Sequence, residues 1–272
     1  MNNGTSTADA DTIVTSLTTW SAAVEAALQL DEPLRAATLA QVILRRLPRH
    51  LPTYQRLLRA AWHLKRWAEG EEWGRRLLRA DPANALAWRA LARAAEQRGQ
   101  RALAHATWQR AFEADPYEPE IRGGLDRTLL RTADAGAGNP AVQPLNLACL
   151  ARIYVRGYRW GRAGAIYRQL IQAAPQRIDF QVGLLAALWQ QRLRAEAYEL
   201  ARYLTQHHPH LIIAWSVLDD LGDVNDKALA RDPIATMDPD GEFVRTWLAL
   251  PFTRGQVELV VSEREAALVE TR

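Results

Sequence analysis

Two closely similar stretches, "RLLRADP" at residues 76–82 and "RAFEADP" at residues 110–116, lie 34 residues apart. The prolines that end them belong to a longer series in which this interval recurs: Pro48, Pro82 and Pro116, then Pro175 and Pro209. A fixed period of this length is typical of repeat architectures, in which every repeat is one supersecondary unit. The chain is therefore predicted to be built from units of 34 residues.

Other positions of the unit agree with the prolines. With proline at position 32, the unit at 85–118 has these residues at its marked positions: Trp88, Leu91, Ala92, Gly99, Ala104, Trp108 and Ala111. Corresponding units lie at 17–50, 51–84, 144–177 and 178–211, and a sixth begins at Ile212. This pattern resembles the tetratricopeptide repeat (TPR), and the resemblance covers roughly residues 15–221.

The resemblance implies an all-α fold, a right-handed superhelical solenoid of stacked antiparallel helix pairs that ends in a short irregular C-terminal segment. The physical basis of the pattern is general. Proline ends the second helix of each unit because its ring cannot continue the hydrogen-bond ladder. One unit cannot bury its own apolar face, so that neighbouring units must stack.

The pattern also suggests a division of the chain. The predicted parts are a flexible N-terminus at 1–14, a first TPR block of about three repeats plus one helix at 15–131, a Gly/Ala/Pro loop at 132–143, a second TPR block at 144–221, and a C-terminal capping or tail segment at 222–272. The loop is interpreted as an excursion within one continuous superhelix, and a hinge between two lobes is the alternative. The tail contains a β-rich run at 257–261, and it either caps the solenoid or lies in its groove.

Composition bounds the class of protein. No run of about 18 apolar residues occurs, which argues against a transmembrane helix. The first residues lack a basic segment followed by an apolar one, so no secretory signal is expected. One cysteine, Cys149, cannot form an internal disulfide. We expect a cytoplasmic protein. Lys65 and Lys227 are the two lysines among 34 basic residues, a bias typical of a GC-rich bacterial genome.

Charge is distributed unevenly along the chain. The formal net charge of +3 combines −1 over residues 1–50, +10 over residues 51–218 and −6 over residues 219–272. Such an asymmetry favours contact between the tail and the middle of the chain, or binding of an acidic partner. A subsidiary hypothesis is that the tail docks in the groove and covers it until a partner displaces it.

Motifs for catalysis or metal binding are absent from the sequence. "HHPH" at residues 207–210 lies at a predicted turn and lacks the spacing of a four-ligand zinc site. Cys149 falls on a predicted first helix without a histidine placed to activate it. "RGGLD" at 122–126 lacks the lysine and hydroxyl residue of a phosphate-binding loop. We expect no enzyme activity, no cofactor and no metal.

The resemblance to TPR proteins implies a groove lined by positions 2, 5, 9, 12 and 13 of the first helices. The predicted partner-binding residues at these positions are Gln55, Arg59, Trp62, His63, Arg89, Arg93, Gln97, Arg152, Arg156 and Trp189. Position 9 is arginine in three units, which suggests a basic track suited to carboxylates or phosphates. Trp62 and Trp189 would provide apolar anchors. A solvated arginine-rich face is the alternative interpretation.

The leading functional hypothesis is a non-enzymatic protein–protein interaction scaffold or adaptor whose basic concave groove binds a peptide or protein segment, with acidic segments suited to it. One alternative is binding of single-stranded RNA or other nucleic acid, which the +10 middle would attract. Base stacking, however, needs an exposed aromatic residue in each unit, and Trp62 and Trp189 alone qualify. The other alternative is the regulatory part of a larger assembly.

Overall fold

The structure, a computed structural model, describes residues 12–132, 145–248 and 255–270. The first part contains β1 (Thr12–Ser16), α1 (Leu17–Gln29), α2 (Pro33–Arg46), α3 (Leu51–His63), α4 (Trp67–Ala80), α5 (Ala85–Gln97), α6 (Arg101–Ala114) and α7 (Pro119–Thr132). The rest contains α8 (Leu147–Arg156), α9 (Trp160–Ala173), α10 (Ile178–Gln190), α11 (Arg194–His207), α12 (Ile212–Leu221), α13 (Val224–Met237), α14 (Glu242–Leu248), β2 (Glu258–Ser262) and α15 (Glu263–Glu270).

The helices form stacked antiparallel pairs, and the chain is an all-α solenoid built from a helical repeat. Six pairs are present in the described residues: α1/α2, α3/α4, α5/α6, α8/α9, α10/α11 and α12/α13. First helices begin at residues 17, 51, 85 and 119, and again at 178 and 212, which reproduces the 34-residue period. Helix α7 occupies the place of a first helix and packs on α6.

A left-handed backbone residue recurs at position 15, in the turn between the two helices of a pair. The five residues with this conformation are Asp31, Lys65, Gly99, Tyr158 and Arg192, with φ between 54° and 70°. Glycine adopts it without steric cost, whereas a residue with a Cβ does so at a penalty of roughly 1 kcal/mol. Five of the six pairs in the described residues therefore share one turn geometry, although only one of these five residues is glycine.

The side chain at position 4 of a first helix donates a hydrogen bond to the carbonyl of the repeat proline six residues earlier. The five donors and acceptors are Tyr54 to Pro48, Trp88 to Pro82, Arg122 to Pro116, Gln181 to Pro175 and Trp215 to Pro209. This bond ties the end of one unit to the first helix of the next. Because Arg122 takes part, α7 keeps the register of the first three units.

Helices on both sides of residues 133–144 share one apolar cluster. Trp108 of α6 is fully buried there against Ile121 and Leu125 of α7, together with Cys149 of α8. The sulfhydryl of Cys149 donates to the carbonyl of Phe112 at 3.7 Å. Both α7 and α8 therefore pack on α6.

The C-terminal segment is more regular than the sequence suggested. Helix α13 completes the sixth pair, and Asp223 begins it with a capping box that includes Asp226. Helix α14, β2 and α15 follow within the described residues. At the other end, residues 12–14 of the predicted flexible N-terminus belong to β1, whereas residues 1–11 and 133–143 of the predicted loop lie outside the described residues.

The two ends of the chain meet at the first helix pair. Strand β2 pairs with β1 in antiparallel register, from Thr12 opposite Ser262 to Ser16 opposite Glu258. Leu259 and Val261 of β2 are buried in the cluster around Trp20. Helix α15 lies against α2, where Glu265 accepts from Arg46 and forms an ion pair with Arg45 at 2.9 Å.

The described residues contain neither a membrane-spanning helix nor a cluster of metal ligands. None of their helices is both long enough and apolar enough to cross a bilayer. No cluster of three or more histidine, cysteine or acidic side chains in the same part of the chain is arranged to hold a metal ion.

Candidate binding surface

Helix α14 lies against the first helices of the solenoid. It packs on α3, α10 and α12, while Arg152 of α8 lies over its Trp247. We name the surface that these first helices present to α14 the inner surface. Asp238 positions α14, because its carboxylate accepts from the backbone N–H groups of Phe243 and Val244, both at 2.9 Å. The tail therefore occupies part of the predicted groove.

Apolar side chains of α14 face the solenoid, and polar contacts fix both of its ends. Phe243, Val244 and Leu248 are fully buried in the main core. At the first turn Arg56 of α3 donates to Glu242 at 2.6 Å. At the last turn Gln190 of α10 donates to the Leu248 carbonyl at 2.7 Å. The inner surface thus holds a short amphipathic helix with an acidic start.

Trp247 of α14 contacts two different parts of the solenoid. Its Nε1–H donates to Asp81 Oδ2 at 3.2 Å, and the Arg152 guanidinium lies 5.2 Å from its ring centre. Asp81 also accepts from Asn84 at 3.0 Å. Burial raises the pKa of Asp81, and the hydrogen bonds from its neighbours oppose that shift. The charge of Arg152 also favours the ionised carboxylate.

A cavity of about 400 Å³ remains beside α14. Three predicted groove residues line it, namely Gln55, Arg152 and Arg156. Trp247 and Thr246 of α14 form one side, and the exposed Tyr158 lies in the α8–α9 turn. Arg156 binds Asp115 at 2.5 Å while remaining 46% exposed. The structure therefore brings these three predicted residues together around one open space.

Arg59 and His63, both on α3, contact acidic residues of the first pair. Arg59 Nη1 donates to both carboxylate oxygens of Glu25 at 2.8 Å. His63 Nδ1 lies 3.2 Å from Asp31. The predicted positive charge at Arg59 is therefore balanced by an acidic side chain of the neighbouring unit.

The Arg89 and Trp62 side chains stack between adjacent first helices. The Arg89 guanidinium lies 4.2 Å from the centre of the Trp62 ring, and it binds Glu120 at 3.0 Å. Burial lowers the pKa of Arg89, although the charges of Glu120 and Glu118 oppose this shift. Trp62 also packs edge-on against Trp67. These residues pack within the solenoid and connect three successive first helices.

The remaining three predicted residues lie in different surroundings. Arg93 binds Glu96 at 2.7 Å and lies 5.2 Å from the Trp67 ring centre. Gln97 is exposed at the end of α5. Trp189 donates to Asp220 at 3.0 Å and lines a separate cavity of about 460 Å³. Four of the predicted arginines, namely Arg59, Arg89, Arg93 and Arg156, thus have a carboxylate partner.

Sequence reasoning missed Arg56, Asp81 and the residues of α14. Arg56 falls at position 6, outside the predicted groove positions, and Asp81 belongs to the repeated turn. Two signals nevertheless pointed to α14: the opposite charges of the tail and the middle of the chain, and the apolar character of "GEFVRTWL" at 241–248.

The side chains that the sequence raised as chemical candidates have structural surroundings. Cys149 is fully buried, and burial raises the pKa of its thiol to about 11, so that the thiolate is scarce at neutral pH. His207 Nδ1 donates to the Tyr203 carbonyl at 2.8 Å and its ring stacks on Tyr203, whereas His210 Nδ1 lies 3.2 Å from Arg49 Nη2.

No protein-family model matches the chain, and no curated protein matches it. Among solved structures, it is similar to a chain in the structure of Naa15/Naa10 bound to HypK-THB, at 14% sequence identity and a TM-score of 0.31. The match covers 85% of this chain and 44% of that chain, so that the present chain spans less than half of its length.

Proposed function

We propose that the chain is a non-enzymatic TPR scaffold whose inner surface binds a helical segment of a partner protein. The 34-residue period, the position-32 prolines and the common left-handed turn support the assignment to the TPR class. The observation that carries the binding proposal is α14, because its position demonstrates that this surface accommodates an amphipathic helix. An acidic first turn suits the partner segment, as Glu242 does in α14.

The partner segment would extend α14 along the cavity of about 400 Å³, or replace α14. The Arg156 guanidinium and the aromatic ring of Tyr158 both line this cavity. A guanidinium group binds a carboxylate with two parallel hydrogen bonds. Aromatic and arginine side chains contribute most of the binding energy in many interfaces. Replacement of α14 would also explain why the tail is acidic whereas the middle of the chain is basic.

A capture experiment with matched variants tests this function. The bait proteins are the wild type, Arg156→Glu/Tyr158→Ala on the inner surface, and Arg168→Glu/Tyr203→Ala on the second helices α9 and α11. The controls match the test residues, because Arg168 is 45% exposed and binds Glu196 at 2.6 Å, and Tyr203 is 47% exposed. We expect a protein from the native lysate to be retained by the wild type and the control, and lost by the inner-surface variant.

A fourth bait tests displacement of α14. Glu242→Gln/Trp247→Ala removes the ion pair to Arg56 and the contacts to Asp81 and Arg152, and it should capture more of the same partner. Equal capture by the wild type and the inner-surface variant would contradict the proposal. Capture of RNA alone, lost steeply as salt rises, would favour the nucleic-acid alternative.

A further inference from the structure

A second cavity, of about 520 Å³, lies where the second helix pair meets the end of the solenoid. Helix α4 contributes Arg75, Arg76 and Arg79, the turn after α2 contributes Arg49, and the turn before α12 contributes His210. We name these five residues the arginine pocket. Arg49 connects the two ends directly, because its Nη2 lies 3.2 Å from His210 Nδ1 and 3.6 Å from Met237 Sδ.

The positive charge of the arginine pocket is only partly balanced. Arg75 binds Glu71 at 2.7 Å and Arg76 binds Glu72 at 2.9 Å. For Arg49 and Arg79, no carboxylate of the described residues lies within ion-pair distance. Arg75, Arg76 and Arg79 lie within one turn of α4, and like charges at this spacing destabilise a helix. The cluster therefore carries positive charge that an anionic ligand would neutralise.

On the inner surface, Arg59, Arg89, Arg93 and Arg156 each have a carboxylate partner. Arg49 and Arg79 have none among the described residues, and neither has Arg202, an exposed arginine on α11. In the arginine pocket, Arg49 and Arg79 face one concave space of a size typical for small-molecule sites.

The floor of the cavity is apolar. Leu51, Tyr54 and Ala80 are buried beneath the arginines, and Met237 closes one side. Guanidinium groups match phosphate oxygens with two parallel hydrogen bonds, and they bind phosphate more strongly than a neutral donor does. A ligand that is complementary to both the arginines and the apolar floor carries phosphate groups on an organic, partly apolar group.

We propose that the arginine pocket binds a small organic phosphate with at least two phosphate groups, such as a nucleoside diphosphate. Arg49 and Arg79 hold the phosphates together with Arg75 and Arg76, and the organic part covers Leu51 and Tyr54. Arg49 lies in the turn between the first and second pairs, and His210 lies in the turn before the sixth pair. The bound ligand therefore connects the two ends of the solenoid and stabilises the contacts between them.

Titration calorimetry with ADP, inorganic pyrophosphate and adenosine tests the proposal on the full chain. The test variant is Arg49→Gln/Arg79→Gln, in which both replaced side chains are exposed. The control variant is Arg168→Gln/Arg202→Gln, which removes the same charge from exposed positions on α9 and α11. Thermal melts of the three proteins without ligand establish that each is folded.

We expect ADP and pyrophosphate to bind the wild type and the control, and adenosine to give no heat. The test variant should bind both anions at least about tenfold more weakly, since two charge-assisted contacts are lost. Three results would overturn the proposal: no binding of either anion at millimolar concentration, equal weakening in both variants, or equal affinity for adenosine and ADP. Binding of a poly-glutamate peptide that depends on Arg49 and Arg79, without binding of ADP or pyrophosphate, would assign the pocket to an acidic protein segment instead.

Discussion

Position 4 makes a common hydrogen bond in the five units that follow a repeat proline. Tyrosine, tryptophan, arginine and glutamine all occur there, and all five side chains donate to the proline carbonyl six residues earlier. The residues have in common a donor at the end of a long side chain. The carbonyl that accepts cannot bond to a helical N–H at this point, because proline has ended the preceding helix.

Removal of one such donor should destabilise the protein. Tyr54→Phe keeps the buried ring and removes the hydroxyl that donates to Pro48, so we expect a loss of about 1–2 kcal/mol in the free energy of unfolding. The control is Tyr203→Phe, whose ring is 47% exposed, and its effect should stay below about 0.5 kcal/mol. Urea denaturation measures both; equal effects would contradict the assigned bond.

The sequence predicted the role of single residues well at positions that only a few residue types can occupy. Proline and the small residues of the repeat set the unit boundaries. The left-handed turn at position 15 was not predicted, although Gly99 was one of the marked positions. At Asp31, Lys65, Tyr158 and Arg192 the residue type does not indicate this conformation, because tertiary packing imposes it. The acidic partners of the groove arginines were also missed, because a repeat position does not specify which neighbouring carboxylate the side chain reaches.

At two junctions between successive units, an aromatic residue packs on a glycine. Trp108 of α6 lies on Gly124 of α7, and Tyr167 of α9 lies on Gly183 of α10. Each aromatic residue is at position 24 of its unit, and each glycine is at position 6 of the first helix that follows. The glycine lowers helix propensity, yet it permits the ring to approach the helix backbone.

Gly183→Ala should therefore destabilise the protein although alanine favours helices. The added methyl group would overlap the ring of Tyr167, which is itself buried, and overpacking of this kind costs about 1–3 kcal/mol. The comparison is Gly70→Ala in α4, where the new Cβ would lie 3.8 Å from Ala61 and 3.9 Å from Ala90. That variant should gain about 0.5–1 kcal/mol. Thermal unfolding measures both, and a gain in both would contradict the role of Gly183.

The elements were predictable to different extents. The repeat pattern placed the pairs from α1 to α11 and the start of α12 closely, because each unit carries its own proline and apolar positions. Helix α14 and β1 were not predicted, and β2 was predicted as a β-rich run at 257–261 without a partner strand. Helix α14 is seven residues long and depends on Asp238 and on burial of Phe243, and β1 requires β2 from the far end of the sequence. Contacts between distant residues decide these three elements.

At the scale of the whole molecule, the solenoid differs from an open stack of repeats. In an open stack each unit contacts its neighbours alone, and stability is roughly a sum of local terms. Here α14 packs on α3, while β2 and α15 pack on the first pair. The acidic tail supports this arrangement, since Glu242 binds Arg56 and Glu265 binds Arg45 and Arg46. The ends of the chain should therefore unfold together.

Val261 and Val260 of β2 offer a matched test of this coupling. Val261 is fully buried against the first pair, whereas its neighbour Val260 is 55% exposed on the other face of the strand. Val261→Asp places a carboxylate in an apolar cluster and should cost roughly 3 kcal/mol or more. Val260→Asp should cost less than about 1 kcal/mol.

Hydrogen exchange locates the effect of the buried substitution. In Val261→Asp, we expect faster amide exchange in β1, α1 and α2 as well as in β2 and α15, because these elements share one cluster. Exchange in α9 to α11 should stay close to that of the wild type, since these helices belong to a different cluster. Faster exchange confined to β2 and α15 would show that the tail is an appendage and that the first pair is stable without it. Faster exchange in α1 and α2 would instead establish that the last strand of the chain completes the core of the first repeat.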